Sequence, residues 1–128
     1  MNQELNEFVN ACLKEYEYQC LGDSKNGNKQ GKILISICIE LRNQNRLYEL
    51  SHLLEHNHPQ VRFRAAEKLL ISFPDKAEKV LDELSALRGL EFGNIGFVSR
   101  MTLQEWRKGN LEFPTEETLK RIEKDIKR

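Results

Sequence analysis

An all-α fold of about seven short helices, with residues 1–128 forming a single domain, is what the sequence predicts, and three observations carry that prediction. Apolar residues recur at steps of three and four along most of the chain, which places one buried stripe on each helix. Breaks rich in Pro, Gly and Asn interrupt that pattern and are followed each time by a new stripe. A chain of 128 residues with 39% hydrophobic and 31% charged composition supports one modest core.

Leu5, Phe8, Val9, Cys12, Leu13, Tyr16 and Cys20 form the first stripe, on a helix that Gly22 and Asp23 end. Lys32 to Leu41 is ambiguous, since its alternating isoleucines suit a strand and its continuous apolarity suits a helix covered on two sides. A lone strand among helices has no pairing partner, so a helix is expected. Upstream, Gly27 and Gly31 are four apart and would share a helix face that admits a neighbour closely; the alternative is that residues 24–31 are a loop.

Leu47, Leu50, Leu53 and Leu54 mark a short amphipathic helix, which His56-Asn57-His58-Pro59 breaks. Pro59 suits the first turn of the next helix, where its missing N–H had no partner to lose. That helix carries Val61, Ala65, Ala66, Leu69, Leu70 and Phe73, and its paired alanines permit close packing. Pro74-Asp75 punctuates the chain again, and Ala77, Val80, Leu81, Leu84 and Leu87 continue. Residues 88–96 contain three glycines and no sustained period, so a loop is expected. A helix from about Ile95 to Lys108 ends at Gly109-Asn110, and a last one starts near Thr115, a candidate N-cap before Glu116 and Glu117. Leu119, Ile122 and Ile126 are expected to face inward on it, and Trp106 is expected in the core.

Composition excludes several functions. The 20 Lys+Arg balance 20 Asp+Glu, which argues against a dedicated nucleic-acid binder. The longest apolar-rich stretch, Ile33 to Leu41, is interrupted by Ser36 and Glu40, well short of the ~20 residues a membrane span needs. No basic region followed by an apolar block opens the chain, so a cytoplasmic location is expected. Cys12, Cys20 and Cys38 are an odd set without a CxxC pair, expected to be reduced and mostly buried.

Catalytic signals are few. His52 and His56 have the spacing of a two-His metal pair, but Leu53 stands where the metalloprotease pattern requires Glu, and no third ligand is near. His58, before Pro59, reads as a turn residue. Cys12 and Cys38 fall on expected buried faces, where a thiol is inert. The glycines from Gly22 to Gly31 lie among lysines but lack the preceding strand and the Lys-Ser/Thr of a phosphate loop. Acid pairs such as Asp82/Glu83 and Glu116/Glu117 diverge on their helices. The chain is therefore expected not to be an enzyme and to hold no metal or cofactor.

The central segment, Leu53-Leu54-Glu55-His56-Asn57-His58-Pro59-Gln60-Val61-Arg62-Phe63-Arg64-Ala65-Ala66-Glu67-Lys68-Leu69-Leu70, resembles the HEAT-repeat pattern of a leucine pair, polar turn, Pro, Val-Arg, Ala-Ala and second leucine pair. One repeat, about residues 47–87, carries that specific signal. More widely, the opening amphipathic helix, the polar Gly22-Asp23 to Asn28-Lys29 stretch, and Trp106-Arg107-Lys108-Gly109 before Pro114 resemble small bacterial HEAT-like proteins, among them immunity proteins of contact-dependent growth inhibition and related polymorphic toxin systems. The resemblance implies a right-handed αα-superhelix of HEAT/ARM type and a monomer that binds a cognate toxin domain, often an RNase or DNase. Gly27, Gly31 and the basic tail from Lys120 depart from the pattern.

The residues expected to meet such a partner are the acids Glu17, Glu49, Glu55 and Glu91, which would face a basic nuclease, and the apolar anchors Tyr18, Leu90 and Phe92. Tyr18 and Glu17 should point away from the first stripe, while Leu90 and Phe92 either stand out on their loop or fold back over the core. Arg62, Arg64 and Lys68 could form a basic ridge, which makes a nucleic-acid-binding module or a general protein scaffold the rival readings; in a HEAT-like turn Arg62 is instead expected in an internal salt bridge. Up to residue 60 the chain holds 6 basic and 8 acidic residues, so its neutrality conceals a slightly acidic front and a basic tail.

Overall fold

The computed structural model describes residues 2–127, and among them every regular element is a helix. In chain order these are α1 (Gln3–Cys20), α2 (Ser24–Asn43), a 3-10 helix (Leu47–Leu53), α3 (Pro59–Leu69), α4 (Pro74–Leu84), a second 3-10 helix (Leu90–Phe92), α5 (Ile95–Arg107) and α6 (Glu116–Lys127). The ambiguous isoleucine-rich segment is helical, and α2 starts at Ser24, so Gly27 and Gly31 lie within it. Leu47–Leu53 is wound as a 3-10 helix, and a further 3-10 turn lies inside the expected 88–96 loop.

Short connections are feasible because the helix ends satisfy their own backbone groups. After α1, Asp23 N–H donates to Tyr18 O at 2.9 Å and Gly22 N–H to Gln19 O at 3.1 Å; Arg46 to Leu41 at 2.7 Å and Asn45 to Arg42 at 3.0 Å repeat the pattern after α2, as do Asn110 to Glu105 at 2.9 Å and Gly109 to Trp106 at 3.0 Å after α5. These are Schellman closures, and after α1 and α2 three residues precede the next helix. Asp23 does double duty: it ends one closure and caps α2, its Oδ1 accepting from Asn26 N–H at 3.1 Å and its Oδ2 from the Asn26 amide at 2.7 Å. Those hydrogen bonds, the side-chain one first, hold its carboxyl below the ordinary range. At α6 the reach is reversed, with the Thr118 hydroxyl accepting from Thr115 N–H at 3.1 Å.

The chain divides into two compact units, one taking residues up to Leu47 and from Pro114 onward, the other Tyr48–Phe113. In the first unit α1 buries Leu5, Phe8, Ala11 and Cys12 while α2 buries Leu34, Ile37, Cys38 and Leu41. The α2 glycines form the seam. A Cβ on Gly27 would lie 3.7 Å from Tyr18 Cβ, and one on Gly31 would lie 3.6 Å from Glu15 Oε2. The bare α2 backbone thus leaves room for a carboxylate that is only 3% exposed. Arg46 pairs with Glu4 at 3.1 Å, joining the end of α2 to the start of α1. Helix α6 packs on α2 with Leu119, Ile122 and Ile126 half-buried and no side chain fully covered. Lys32 of α2 and Lys127 of α6 both lie 3.5 Å from Glu123, and their charges hold its carboxyl below the ordinary value. The α1 stripe stops short of its expected end, and Cys20 is exposed.

In the second unit α3, α4 and α5 pack on one another. Ala65 and Ala66 are both fully buried, as their small size anticipates, beside Val61, Leu69 and Leu70. Helix α5 starts against the preceding connection, where a Cβ on Gly96 would fall 2.4 Å from Leu87 O. That obstacle is backbone and cannot swing aside. Arg100 Nη1 donates to Ser85 O at 2.7 Å, satisfying a carbonyl at the end of α4. Glu67 receives Arg64 at 2.9 Å and Lys68 at 3.4 Å. Burial alone would raise its carboxyl, but Lys68 and then Arg64 outweigh that and hold it at about 2. Trp106 is half-buried and not a core residue, since it sits in the last turn of α5 beyond the covered face of Ile95, Ser99 and Leu103.

Two glycines on helices should respond oppositely to one methyl group. Gly31→Ala meets only ordinary contact and gains helix propensity, so thermal unfolding should show stabilisation by up to about 1 kcal/mol. Gly96→Ala should destabilise by about 1–3 kcal/mol. The ion cluster gives a pH signature. Because the folded carboxyl of Glu67 lies below its ordinary 4.5, its stabilisation is complete above that value and is lost as pH falls toward about 2. Urea titrations should therefore find Glu67→Gln less stable by about 1–3 kcal/mol at neutral pH, with the gap closing across that acid window.

Candidate partner-binding surfaces

The connection from α4 to α5 is a loop with its root fixed and its tip displayed. Gly89 (φ 111°) and Gly93 (φ 57°) take backbone conformations that side-chain-bearing residues rarely adopt, and they bracket one 3-10 turn closed by Phe92 N–H to Gly89 O and Gly93 N–H to Leu90 O, both 3.2 Å. At the root, Arg88 Nη1 donates to Ser85 O at 2.9 Å and to Leu87 O at 3.0 Å. The Glu91 carboxylate folds back over Gly89, where a Cβ would come within 2.7 Å of its Oε2. The turn sends its two apolar residues to opposite fates. Leu90 is 98% exposed, whereas Phe92 is half-buried, so the expected anchor pair reduces to one.

Two anchors that the sequence reading passed over follow on α5. Phe97 is 57% and Met101 40% exposed, one turn apart, on the face opposite Ile95, Ser99 and Leu103. Their offset of two residues from the buried stripe was the available signal: apolar residues out of phase with the core have no internal partner.

The other expected residues are scattered. Glu17 is exposed on α1, but Tyr18 is half-buried with its Cβ turned to Gly27 of α2, so it does not point away from the helix pair as expected. The absent Gly27 side chain draws it in. Glu49 is half-buried and already has a partner. Glu55, just after the first 3-10 helix, is exposed and lines a hollow together with Ser51, His52, Lys76 and Lys79.

The candidate basic ridge is committed internally. Arg62 Nη1 donates to His56 O at 2.6 Å and Asn57 O at 3.0 Å, so its acceptors are turn carbonyls where a salt bridge was expected. The turn between Leu54 and Pro59 leaves those carbonyls without helical partners, and the guanidinium supplies them. Arg64 lies 5.3 Å from the centroid of the Phe63 ring while it binds Glu67, and Lys68 is 10% exposed beside the same acid.

His56 and His58 are turn residues too. His58 Nδ1 accepts from Gln60 N–H at 3.1 Å, which makes it the N-cap of α3, and His56 Nδ1 accepts from His58 N–H at 3.0 Å. Burial, then the nearby His56 and Arg62, lowers the His58 pKa from the ordinary 6.5. Among the described residues no three His, Cys, Asp or Glu are grouped to hold a metal ion, and no helix is long and apolar enough to cross a membrane. No family model, curated protein or solved structure matches the chain.

A neutral imidazole is needed for the His58 cap, since a protonated Nδ1 would donate and not accept. With its folded pKa depressed, the cap contributes fully above the ordinary value and is lost as pH falls through the lower folded one. His58→Ala should cost about 0.5–1 kcal/mol near pH ~8 by chemical denaturation, and the difference should shrink as pH falls below the ordinary 6.5 of a histidine.

Proposed function

We propose that the chain is a non-enzymatic binding protein that blocks a toxin domain in the bacterial cytosol, as immunity proteins of contact-dependent growth inhibition and related polymorphic toxin systems do, with α3–α4 as its HEAT-type helix pair. The observation that carries this reading is Leu90, 98% exposed at the tip of a loop whose root and turn are fixed by hydrogen bonds. Leaving a leucine side chain in water forgoes about 1.5–3 kcal/mol that a partner can recover. The loop is already ordered, so little entropy opposes that contact. Phe97 and Met101, exposed on α5, offer further apolar surface in the same unit, and Glu91 beside the tip complements a basic nuclease. Occlusion needs no catalytic group, only a surface that covers the toxin's active site. A nucleic-acid role draws less support, because Arg62, Arg64 and Lys68 are engaged by carbonyls and by Glu67.

The experiment is co-expression with the toxin domain encoded immediately upstream. Rescue of growth and co-purification are expected, with Leu90→Asp weakening binding about tenfold or more in calorimetry while leaving thermal unfolding unchanged. Failure of both rescue and co-purification overturns the toxin reading; retained affinity in Leu90→Asp removes the loop from it. Salt-sensitive retention of RNA that is lost in Arg62→Glu/Arg64→Glu would favour the nucleic-acid module.

A further inference from the structure

A trough runs along α4 in the second unit, opposite the first 3-10 helix. Its apolar end is a cleft of about 390 Å³ walled by Tyr48, Phe73 and Pro74 and floored by Leu54 and Leu69. Its polar end, about 540 Å³, is lined by His52, Glu55, Lys79, Val80 and Glu83. Ser51, Leu54 and Lys76 line both ends, so the two are continuous. Tyr48 and Phe73 are 54% and 49% exposed, leaving two aromatic residues of the cleft half in water.

The charges of this trough are unspent. Among the described residues the side chains of His52, Glu55, Asp75, Lys76, Lys79 and Glu83 make no hydrogen bond or ion pair, whereas Arg64, Lys68 and Arg107 in the same unit all have acids within 4 Å. They are also ordered along the helix. From the aromatic end, α4 presents Lys76 and Lys79, then Glu83 with Glu55 across from it. The first turn of α4 adds to the positive end, because Phe73 at its N-cap offers no side-chain acceptor; Asp75 is the one acid there. From Pro74 to Glu83 the helix rises about 13–14 Å.

We infer that the trough between the first 3-10 helix and α4 binds a partner-protein segment carrying a bulky apolar side chain, then an acid, then a base. The apolar group enters the Tyr48–Phe73 cleft, the acid meets Lys76 and Lys79, and the base meets Glu83 and Glu55. An extended segment advances about 3.3–3.6 Å per residue, so alternate side chains on one face span the trough in about five residues. This surface lies apart from the Leu90 loop residues, and the inference does not depend on the partner being a toxin.

The probe is a synthetic peptide of order Trp-Gly-Asp-Gly-Lys, compared with Trp-Gly-Lys-Gly-Asp, titrated into the full chain and followed by backbone amide NMR shifts. Saturating shifts confined to residues 48–55 and 72–83 are expected, with the first peptide binding about threefold to tenfold more tightly. The charge exchange Lys79→Glu/Glu83→Lys, at exposed side chains that leave the fold intact, puts one base and one acid at each end and should abolish that preference. Equal affinity of the unaltered chain for both orders, or an undiminished preference in the exchanged variant, overturns the proposal. So does tight binding of indole-3-acetate alone at the same residues, which would assign the trough to a small aromatic acid. Concentration-dependent self-association with the same shifts would assign it to a second copy of the chain and overturn it likewise.

Discussion

Close backbone approach at Gly96 is the constraint on which the second unit of this chain depends. Between α1 and α2 the bare backbone of Gly31 lies beside Glu15, and between α4 and α5 Gly96 presses on the Leu87 carbonyl. The two contacts differ in severity, ordinary contact at 3.6 Å against an impossible 2.4 Å for an added Cβ. The second fixes more than packing. With α5 forced to begin against Leu87, the residues between them must leave the helical path and return within a short loop. The Leu90 tip is what that detour displays.

Charge has the same dual character. Equal numbers of acids and bases say nothing about which are used, and the structure sorts them by partner. Glu67 draws two cations into one cluster, Glu123 bridges two helices through two lysines, and Arg62 and Arg100 turn to carbonyls at helix ends. Arg62, Arg64 and Lys68 of the expected basic ridge are thus engaged internally, by carbonyls and by Glu67. Along α4 in the second unit, by contrast, side chains of both signs line one trough without pairing. Leaving both signs unmet in one trough forgoes ion pairs that the rest of the unit forms, which is why the trough reads as a recognition surface.

Sequence legibility followed the physics of each signal. Helix ends were readable because Gly22, Asp23, Pro59 and Gly109 act through backbone chemistry that needs no distant partner. The seam at Gly27 and Gly31 was readable from spacing, since two missing side chains on one face matter only if something fills them. Periodicity was less informative about coverage. It placed Cys20 and Trp106 on apolar faces, but both lie in the last turn of their helices, where Cys20 is exposed and Trp106 half-buried. Tyr18 failed the other way, drawn inward by a glycine on a different helix. The acceptors of Arg62 were invisible for a related reason: sequence shows a cation near a turn but not that the turn has carbonyls to satisfy.

The loop tip and the trough would govern different stages of binding. Exposed charges along α4 act over about a Debye length of 8–10 Å, enough to orient an approaching segment and raise the association rate. They add little once contact is made, because water still screens them. The Leu90 tip and the exposed faces of Phe97 and Met101 have no reach beyond contact, yet their removal from water accumulates in the dissociation rate. A surface that holds its partner must therefore be apolar and already ordered, and the hydrogen-bonded loop root meets that condition without any rearrangement of the helices behind it.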